Sequence, residues 1–258
     1  MIEHWWSPSE GGLGNQAGLG RPGKVGAADL APEIEGQRFQ RDRHDRGPKA
    51  HFGISFIAAE PVGELGAYFD EGFGGQLGVG IPVNDFGLFR IVADLGFLIY
   101  GHERQSYCMA LPYGCRIGLD LTTTNNIAFG GIGPELALPL GAIEPYVRGM
   151  MGFSYWFTNS SLSGYDDDHD FGNTTHLSDV VAAWRAAAGI RLRISNGSKP
   201  VSIDFGVERH ENGIADFLTE GDIVDHANGD ITIFPNRSEA NLMTYRIGIS
   251  IGIPRDRH

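Results

Sequence analysis

Between residues 51 and 254 apolar side chains recur at every second position in short runs, and breaks rich in glycine, proline, asparagine and aspartate separate the runs. Period two marks strands whose two faces differ chemically. Eight runs follow this pattern: HFGISFIAAE (51–60), GFGGQLGVGI (72–81), LFRIVADLGFLIYGH (88–102), NNIAFGGIGPELAL (125–138), IEPYVRGMMGFSYWFT (143–158), VAAWRAAAGIRLRI (181–194), PVSIDFGVERH (200–210) and LMTYRIGISIGIP (242–254). The sixth is alanine-rich and by composition reads as a helix. As a helix it would scatter its arginines around the cylinder with no apolar stripe. As a strand it places Arg185, Ala187, Gly189, Arg191 and Arg193 on one side, and Trp184, Ala186, Ala188, Ile190, Leu192 and Ile194 on the other. The strand sorts the residues, so the strand is expected.

The breaks alternate in length. PVNDFG (82–87), PLGA (139–142) and SNGSK (195–199) have the composition of tight turns. The connections 61–71, 103–124, 159–179 and 211–241 are longer, and are expected to be loops. Short turns at one end and long loops at the other describe an up-and-down antiparallel barrel of the transmembrane kind. An even number of strands lets the last pair with the first, which abolishes both edges.

The same sorting holds in the other runs. One face carries Arg90, Asp94, Glu135, Glu144, Arg148, Arg185, Arg191, Arg193, Asp204, Glu208 and Arg246, with Gly, Ala and Ser between them. The opposite face carries Phe89, Ile91, Leu95, Phe97, Val147, Phe153, Ile203, Phe205, Ile247 and Ile249. Alternation alone leaves two arrangements open. A soluble lipocalin-like barrel would bury the apolar set around a ligand cavity; a membrane barrel would turn it outward. The absence of lysine from every strand, the near balance of sign and the small residues between the charges favour a closed interior network. Guanidinium forks suit such a network better than ammonium groups do. The runs also have the length that a tilted strand needs to cross a bilayer. Tyr100, Tyr155, Trp156, Phe157 and Trp184 fall near strand ends, where an interfacial girdle is expected. The expected fold is therefore all-β: an eight-stranded antiparallel transmembrane β-barrel with a polar, charged interior.

Three stretches, AEPVGELGAYFDEGFGGQLGVG (59–80), GPELALPLGAIEPYVRGMMGFSYWFT (133–158) and the ending TYRIGISIGIP, resemble the small eight-stranded outer-membrane β-barrel proteins of Gram-negative bacteria. That resemblance implies residence in the bacterial outer membrane among lipid and lipopolysaccharide, and insertion by the barrel-assembly machinery. It also implies a closing C-terminal strand that serves as the insertion signal, here with Tyr245, Ile247, Ile249, Ile251 and Ile253 at the alternate positions. The terminal aromatic of such signals is replaced by Pro254 and a charged tail. MIEHWWSPSEGGLGNQAG lacks the positive start and apolar core of a signal peptide, which for a secreted barrel implies an incorrect or renumbered start.

Composition narrows the chemistry. The 258 residues carry a formal charge of −12, and only Lys24, Lys49 and Lys199 are lysines. No basic run tracks a phosphate backbone, so nucleic acid is not an expected partner. Residues 1–50 mix Gly, Pro and charge without periodicity and read as a tail or linker; 51–254 form the barrel and 255–258 a short C-terminal tail. Cys108 and Cys115 lie close together in QSYCMALPYGCRIG, where a local disulfide is expected.

Candidate catalysis centres on VERHENGIADF (207–217). Outer-membrane lipid A deacylases carry a His-x-Ser-Asn stretch late in the barrel; here Asn212 stands two after His210, with Glu220 further on, and the serine nucleophile is missing. A lipid-modifying enzyme is thus an alternative to a structural, anchoring or loop-mediated binding role. Asp166, Asp167, Asp168, His169 and Asp170 form an acidic stretch without the alternating spacing of an EF-hand. Acidic long loops could bridge divalent cations to lipopolysaccharide phosphates, or bind a protein partner. No cofactor is expected, and an eight-stranded interior filled with side chains is closed to solutes.

Overall fold

The structure, a computed structural model, describes residues 48–111, 114–164, 167–196, 199–226 and 231–254; side chains at 107–119, 164–172 and 225 lie outside that description. Eight strands close into a barrel. They are β1 (Ala50–Pro61), β2 (Gly72–Pro82), β3 (Phe89–Leu111), β4 (Gly114–Ala137), β5 (Ile143–Gly164), β6 (Asp167–Ser195), β7 (Val201–Asn212) and, after an elaborate connection, β12 (Leu242–Ile253). Each pairs antiparallel with its neighbours in sequence, and β12 pairs with β1 from Ala50↔Ile253 to Pro61↔Leu242, which completes the ring.

The tight turns 82–87 and 139–142 fall where their composition places them, and residues 197–198 of the third lie outside the described residues. Val83 N–H donates to Phe89 C=O at 2.8 Å below the β2–β3 hairpin, and Leu140 N–H to Ile143 C=O at 2.9 Å below β4–β5. Gly87 and Gly141 take φ of 70° and 75° in these turns, a region that costs any side chain with a Cβ. The start of β1 and the end of β12 also lie at this turn end.

The opposite end departs from the expectation of loops. The described residues of 103–124 and 159–179 form strand rather than loop: β3 pairs with β4 as far as Leu111↔Gly114, and β5 with β6 as far as Gly164↔Asp167, with register shifts on the way. Their β4–β5 ladder continues to Leu119↔Gly164. On the other side of the ring β2 ends its pairing at Phe73↔Ile99. The barrel is therefore lopsided, with a four-stranded sheet of β3–β6 rising past a lower rim. Among the described residues its upper part carries mostly short polar side chains, such as Thr122, Thr123, Thr124 and Asn125, with Leu121 opposite Leu162, and so offers no sustained apolar alternation for periodicity to reveal. Backbone pairing and cross-strand contacts between short polar side chains hold it. Thr123 Oγ1 lies 2.7 Å from Ser160 Oγ, Thr175 Oγ1 donates to Asn159 at 2.8 Å, and Asp120 accepts from Ser106 Oγ and Arg104 at 2.5 Å each.

The connection 211–241 also departs from a plain loop. It holds β8 (Ile214–Phe217) paired with β11 (Asn236–Glu239), and β9 (Ile223–Asp225) paired with β10 (Ile231–Ile233). Between β1 and β2 a single 3-10 turn, Gly63–Ala67, presents Leu65 inward.

Candidate functional site

The direction of the two faces decides the chemistry. Ile54, Leu95 and Trp184 are 57%, 63% and 63% exposed, while Glu135 and Arg185 are 1% and 3% exposed. The apolar set forms the outer wall around all eight strands, and the charged set lines the inside. Burying one such apolar side chain is worth about 1.5–3 kcal/mol, so an aqueous exterior of this composition is strongly unfavourable. A soluble lipocalin-like arrangement requires the reverse orientation and is excluded by the geometry.

The turn half of the interior is ionic. Glu144 accepts from both terminal nitrogens of Arg90 at 2.6 and 2.8 Å, and Glu135 takes Arg191 at 2.6 and 2.9 Å. Arg191 also reaches Glu144 at 2.9 Å and Asp204 at 3.3 Å. A second group joins Arg185 to Glu208 at 2.8 Å and to Asp94, which Gln76 holds at 2.8 Å. Tyr146 connects the two groups. Its hydroxyl donates to Asp204 at 2.7 Å and accepts from Arg246, and Arg191, Arg148 and Arg246 surround its ring at 4.1, 5.1 and 6.0 Å from the centroid. Glycine makes this possible: a Cβ at Gly189 would stand 2.3 Å from the Tyr146 hydroxyl.

The loop half of the interior is apolar. Leu98, Ile127, Phe129, Trp156, Val181 and Leu242 face inward from the strands, and the lid of β8–β11 inserts Phe217 and Leu218 among them. Phe217 meets Trp156 at 5.4 Å and Tyr68 edge-on at 5.1 Å; Tyr100 meets Trp156 at 5.3 Å and donates its hydroxyl to Leu218 C=O at 3.0 Å. Asn212 and Asn241 clasp the neck of the lid. Asn212 N–H donates to Asn241 Oδ1 at 2.9 Å, its amide nitrogen to Ala240 C=O at 2.5 Å, and Ser154 Oγ donates to its oxygen at 2.8 Å. Tyr100 and Trp156 thus belong to an internal plug, contrary to the girdle expected of them. Tyr155, Phe157 and Trp184 do face outward, with Phe157 ringed by Tyr155 at 4.9 Å and Phe97 at 6.2 Å.

Of the charged residues singled out from sequence, Arg90, Asp94, Glu135, Glu144, Arg148, Arg185, Arg191, Asp204, Glu208 and Arg246 converge in the interior. Arg193 does not join them: it is half-buried at the turn end, and no carboxylate lies within ion-pair distance of it among the described residues. The strand simply runs out of the barrel at that height. Parity alone placed Tyr146 and Gln76 on the same face, yet neither carries the charge that drew attention to the rest. Phe217 and Leu218 had no periodic signal at all.

The candidate catalytic residues are not brought together. His210 is buried inside the barrel against the edge of Phe129, and its Nε2 lies 3.3 Å from both Thr244 Oγ1 and Glu208 Oε1. Both neighbours share one ring nitrogen, so no relay of acid, base and nucleophile forms. Asn212 is committed to the lid neck and Glu220 is exposed on a turn. No group of three metal-ligating side chains occurs among the described residues. The Cys108–Cys115 pair and the acidic stretch 166–170 lie outside the described side chains, as does the tail 1–47 outside the described residues. Outside the membrane belt, the hydroxyl of Ser106 and then the Arg104 guanidinium hold the Asp120 carboxyl below its usual range.

No protein-family model matches the chain, and no curated protein matches it. Solved structures of similar form include Neisserial surface protein A, at 11% identity over 80% of this chain and 97% of that one, TM-score 0.43. Ail, the attachment invasion locus protein of Yersinia pestis in complex with the heparin analogue sucrose octasulfate, matches at 10% identity over 80% and 98%, TM-score 0.42. A major outer membrane protein from Thermus thermophilus matches at 13% identity over 78% and 98%, TM-score 0.36. At these values the likeness is one of general form, and the case for the barrel rests on its closed ladder of strands.

Proposed function

We propose that this chain is an outer-membrane β-barrel that crosses the bilayer with its eight strands, is closed to solutes, and acts through the raised sheet and lid at its loop end. The observation that carries this reading is the inverted wall: apolar side chains outside every strand of a ring that leaves no backbone edge, and ion pairs within. What supports closure is that, among the described residues, an ionic layer and an apolar plug lie one above the other inside the barrel. The parts that project beyond the barrel strands are the β3–β6 extension, with short polar side chains, and the lid segment, which also exposes Ile214, Val224, Ile231 and Phe234; these are the surface for anchoring, adhesion or a protein partner. Lipid A modification is disfavoured by the inward orientation of His210, since an acyl chain in the bilayer meets the outer wall.

Cell fractionation with a heat-modifiable gel band tests the membrane reading; recovery of the folded chain in the soluble fraction would overturn it. Liposome swelling with small sugars tests closure, with no swelling above protein-free vesicles expected. Lipid A acyl-chain profiles are expected to be the same for wild type and His210→Ala.

A further inference from the structure

We propose that the apolar half of the barrel is a blind binding well for a neutral molecule with a short acyl chain and one carbonyl, and that the docked lid fills this well in the ligand's absence. The proposal deepens the reading of the lid as an acting part, and it rests on the floor that the ionic layer gives the tube. The walls belong to the barrel. Ile57, Leu98, Ile127, Phe129, Trp156 and Leu242 come from β1, β3, β4, β5 and β12, and each is at most 2% exposed. Phe129 marks the floor: its ring lies 5.2 Å from the Arg185 guanidinium and meets His210 edge-on at 5.0 Å. The cover is not part of the ring. Residues 213–240 leave and re-enter through one neck, where Ala240 N–H donates to Gly213 C=O at 3.2 Å beside the Asn212–Asn241 clasp.

The lid itself shows what the well accepts. It inserts Phe217 and Leu218, and apolar surface is what these walls reward. Beyond the neck it is tied to the strands by the Tyr100 hydroxyl, which donates to Leu218 C=O at 3.0 Å, and by Asp216 N–H, which donates to the Asp179 carboxylate at 2.9 Å. Lifting the lid strips Tyr100 of its acceptor while the hydroxyl stays on the wall, and a donor in such surroundings needs a partner. Trp156, fully buried with its ring 5.4 Å from that of Phe217, holds an indole N–H that has no acceptor among the described residues even with the lid docked. A ligand that replaces the lid must supply what Phe217 and Leu218 supply: apolar volume for the walls and a carbonyl for the donors. A charged headgroup is disfavoured, because Arg185 is already held by Glu208 and Asp94 behind the Phe129 ring. Lid and ligand claim the same volume, so each excludes the other.

The test uses the full chain, folded in detergent, with methyl octanoate as the probe and nonane as the probe without a carbonyl. The ester should speed limited proteolysis within 213–240 about tenfold once its free concentration is about ten times its dissociation constant for the lid-open form, and leave the heat-modifiable band intact. Nonane should do so to a smaller degree. Tyr100→Phe loosens the lid and raises cleavage without probe, yet it should shrink the advantage of the ester over nonane. Phe217→Ala raises the open fraction and should lower the ester concentration required about tenfold. Crystals soaked in the ω-bromo ester should place bromine beside Trp156. Equal cleavage with and without ester in both wild type and Phe217→Ala, an ester advantage that is absent or survives Tyr100→Phe unchanged, or bromine on the outer wall alone would each overturn the well. Should Phe217→Ala lose the heat-modifiable band, wild-type cleavage and the wild-type bromine map decide. Recovery of the chain in the soluble fraction would overturn the membrane reading and leave these readouts standing.

Discussion

The two halves of the barrel interior close the same tube by opposite physical means. In the turn half, five arginines and five carboxylates fill the tube, and Tyr146 supplies the link between their two groups. In the loop half, Trp156, Tyr100 and Phe129 fill it with rings, and Phe217 and Leu218 arrive from a lid remote in sequence. The ionic half is built from the barrel strands alone and is complete when the ring closes. The apolar half is complete only when the lid docks. Charge networks punish the loss of one partner more than they reward the whole, because the orphaned charge stays buried. Apolar plugs lose in proportion to the volume removed and relax partly by collapse. One half is therefore brittle and the other tolerant.

Substitutions that break this contrast should differ in size and in reach. Glu135→Ala strips Arg191, Arg90 and Arg148 of a shared carboxylate and should cost about 3–5 kcal/mol, read as loss of the heat-modifiable band across the whole barrel. Phe217→Ala should cost about 3 kcal/mol but only locally: limited proteolysis should cut within 213–240 while the band persists. If instead the entire barrel is lost, the lid is part of the barrel's own stability and the contrast fails. Ser154→Ala removes one hydrogen bond to the lid neck, a loss of about 1 kcal/mol, visible as faster amide exchange at Asn212 and Gly213. The smallest effect is expected above both halves, at Asp120. Its carboxyl is held low by Ser106 and Arg104, so it supports the β3–β4 hairpin above the ordinary carboxylate range and loses that support as pH falls through its own depressed value. Carboxyl NMR titration against Ser106→Ala, which should move the midpoint upward, measures it.

Legibility followed the physics of each segment. Strands β1 to β7 and β12 are legible because one face of each is the apolar outer wall and the other lines the interior, which stamps period two on residues such as Arg90 to Ile99. The upper parts of β3–β6 could not. Thr122–Thr124 and Ser161–Ser163 are half-exposed on both faces, and a ladder held by backbone bonds leaves no alternation behind. Tyr100 and Trp156 lie inside although a girdle is expected there, because a position near a strand's apolar end is shared by both roles. Their parity with Leu98 and Ser154 points inward, and the register shift between Ile99 and Gly101 falls at Tyr100 itself. Phe217 and Leu218 lie in a segment whose composition is that of a polar connection, and nothing local says that it folds back into the mouth.

By itself the sequence determined the number of barrel strands, the turn end, the composition of each face and the class of charge partners, because alternation is a local consequence of the pleat. Tertiary structure decided which carboxylate each arginine meets, that Arg148 and Arg246 are hydrogen-bonded to Tyr146 and Gln76, and that the loop end is closed by its own lid. Those outcomes depend on register around a closed ring and on contacts between Tyr100 and Leu218, more than a hundred positions apart. No local pattern encodes distances of that kind.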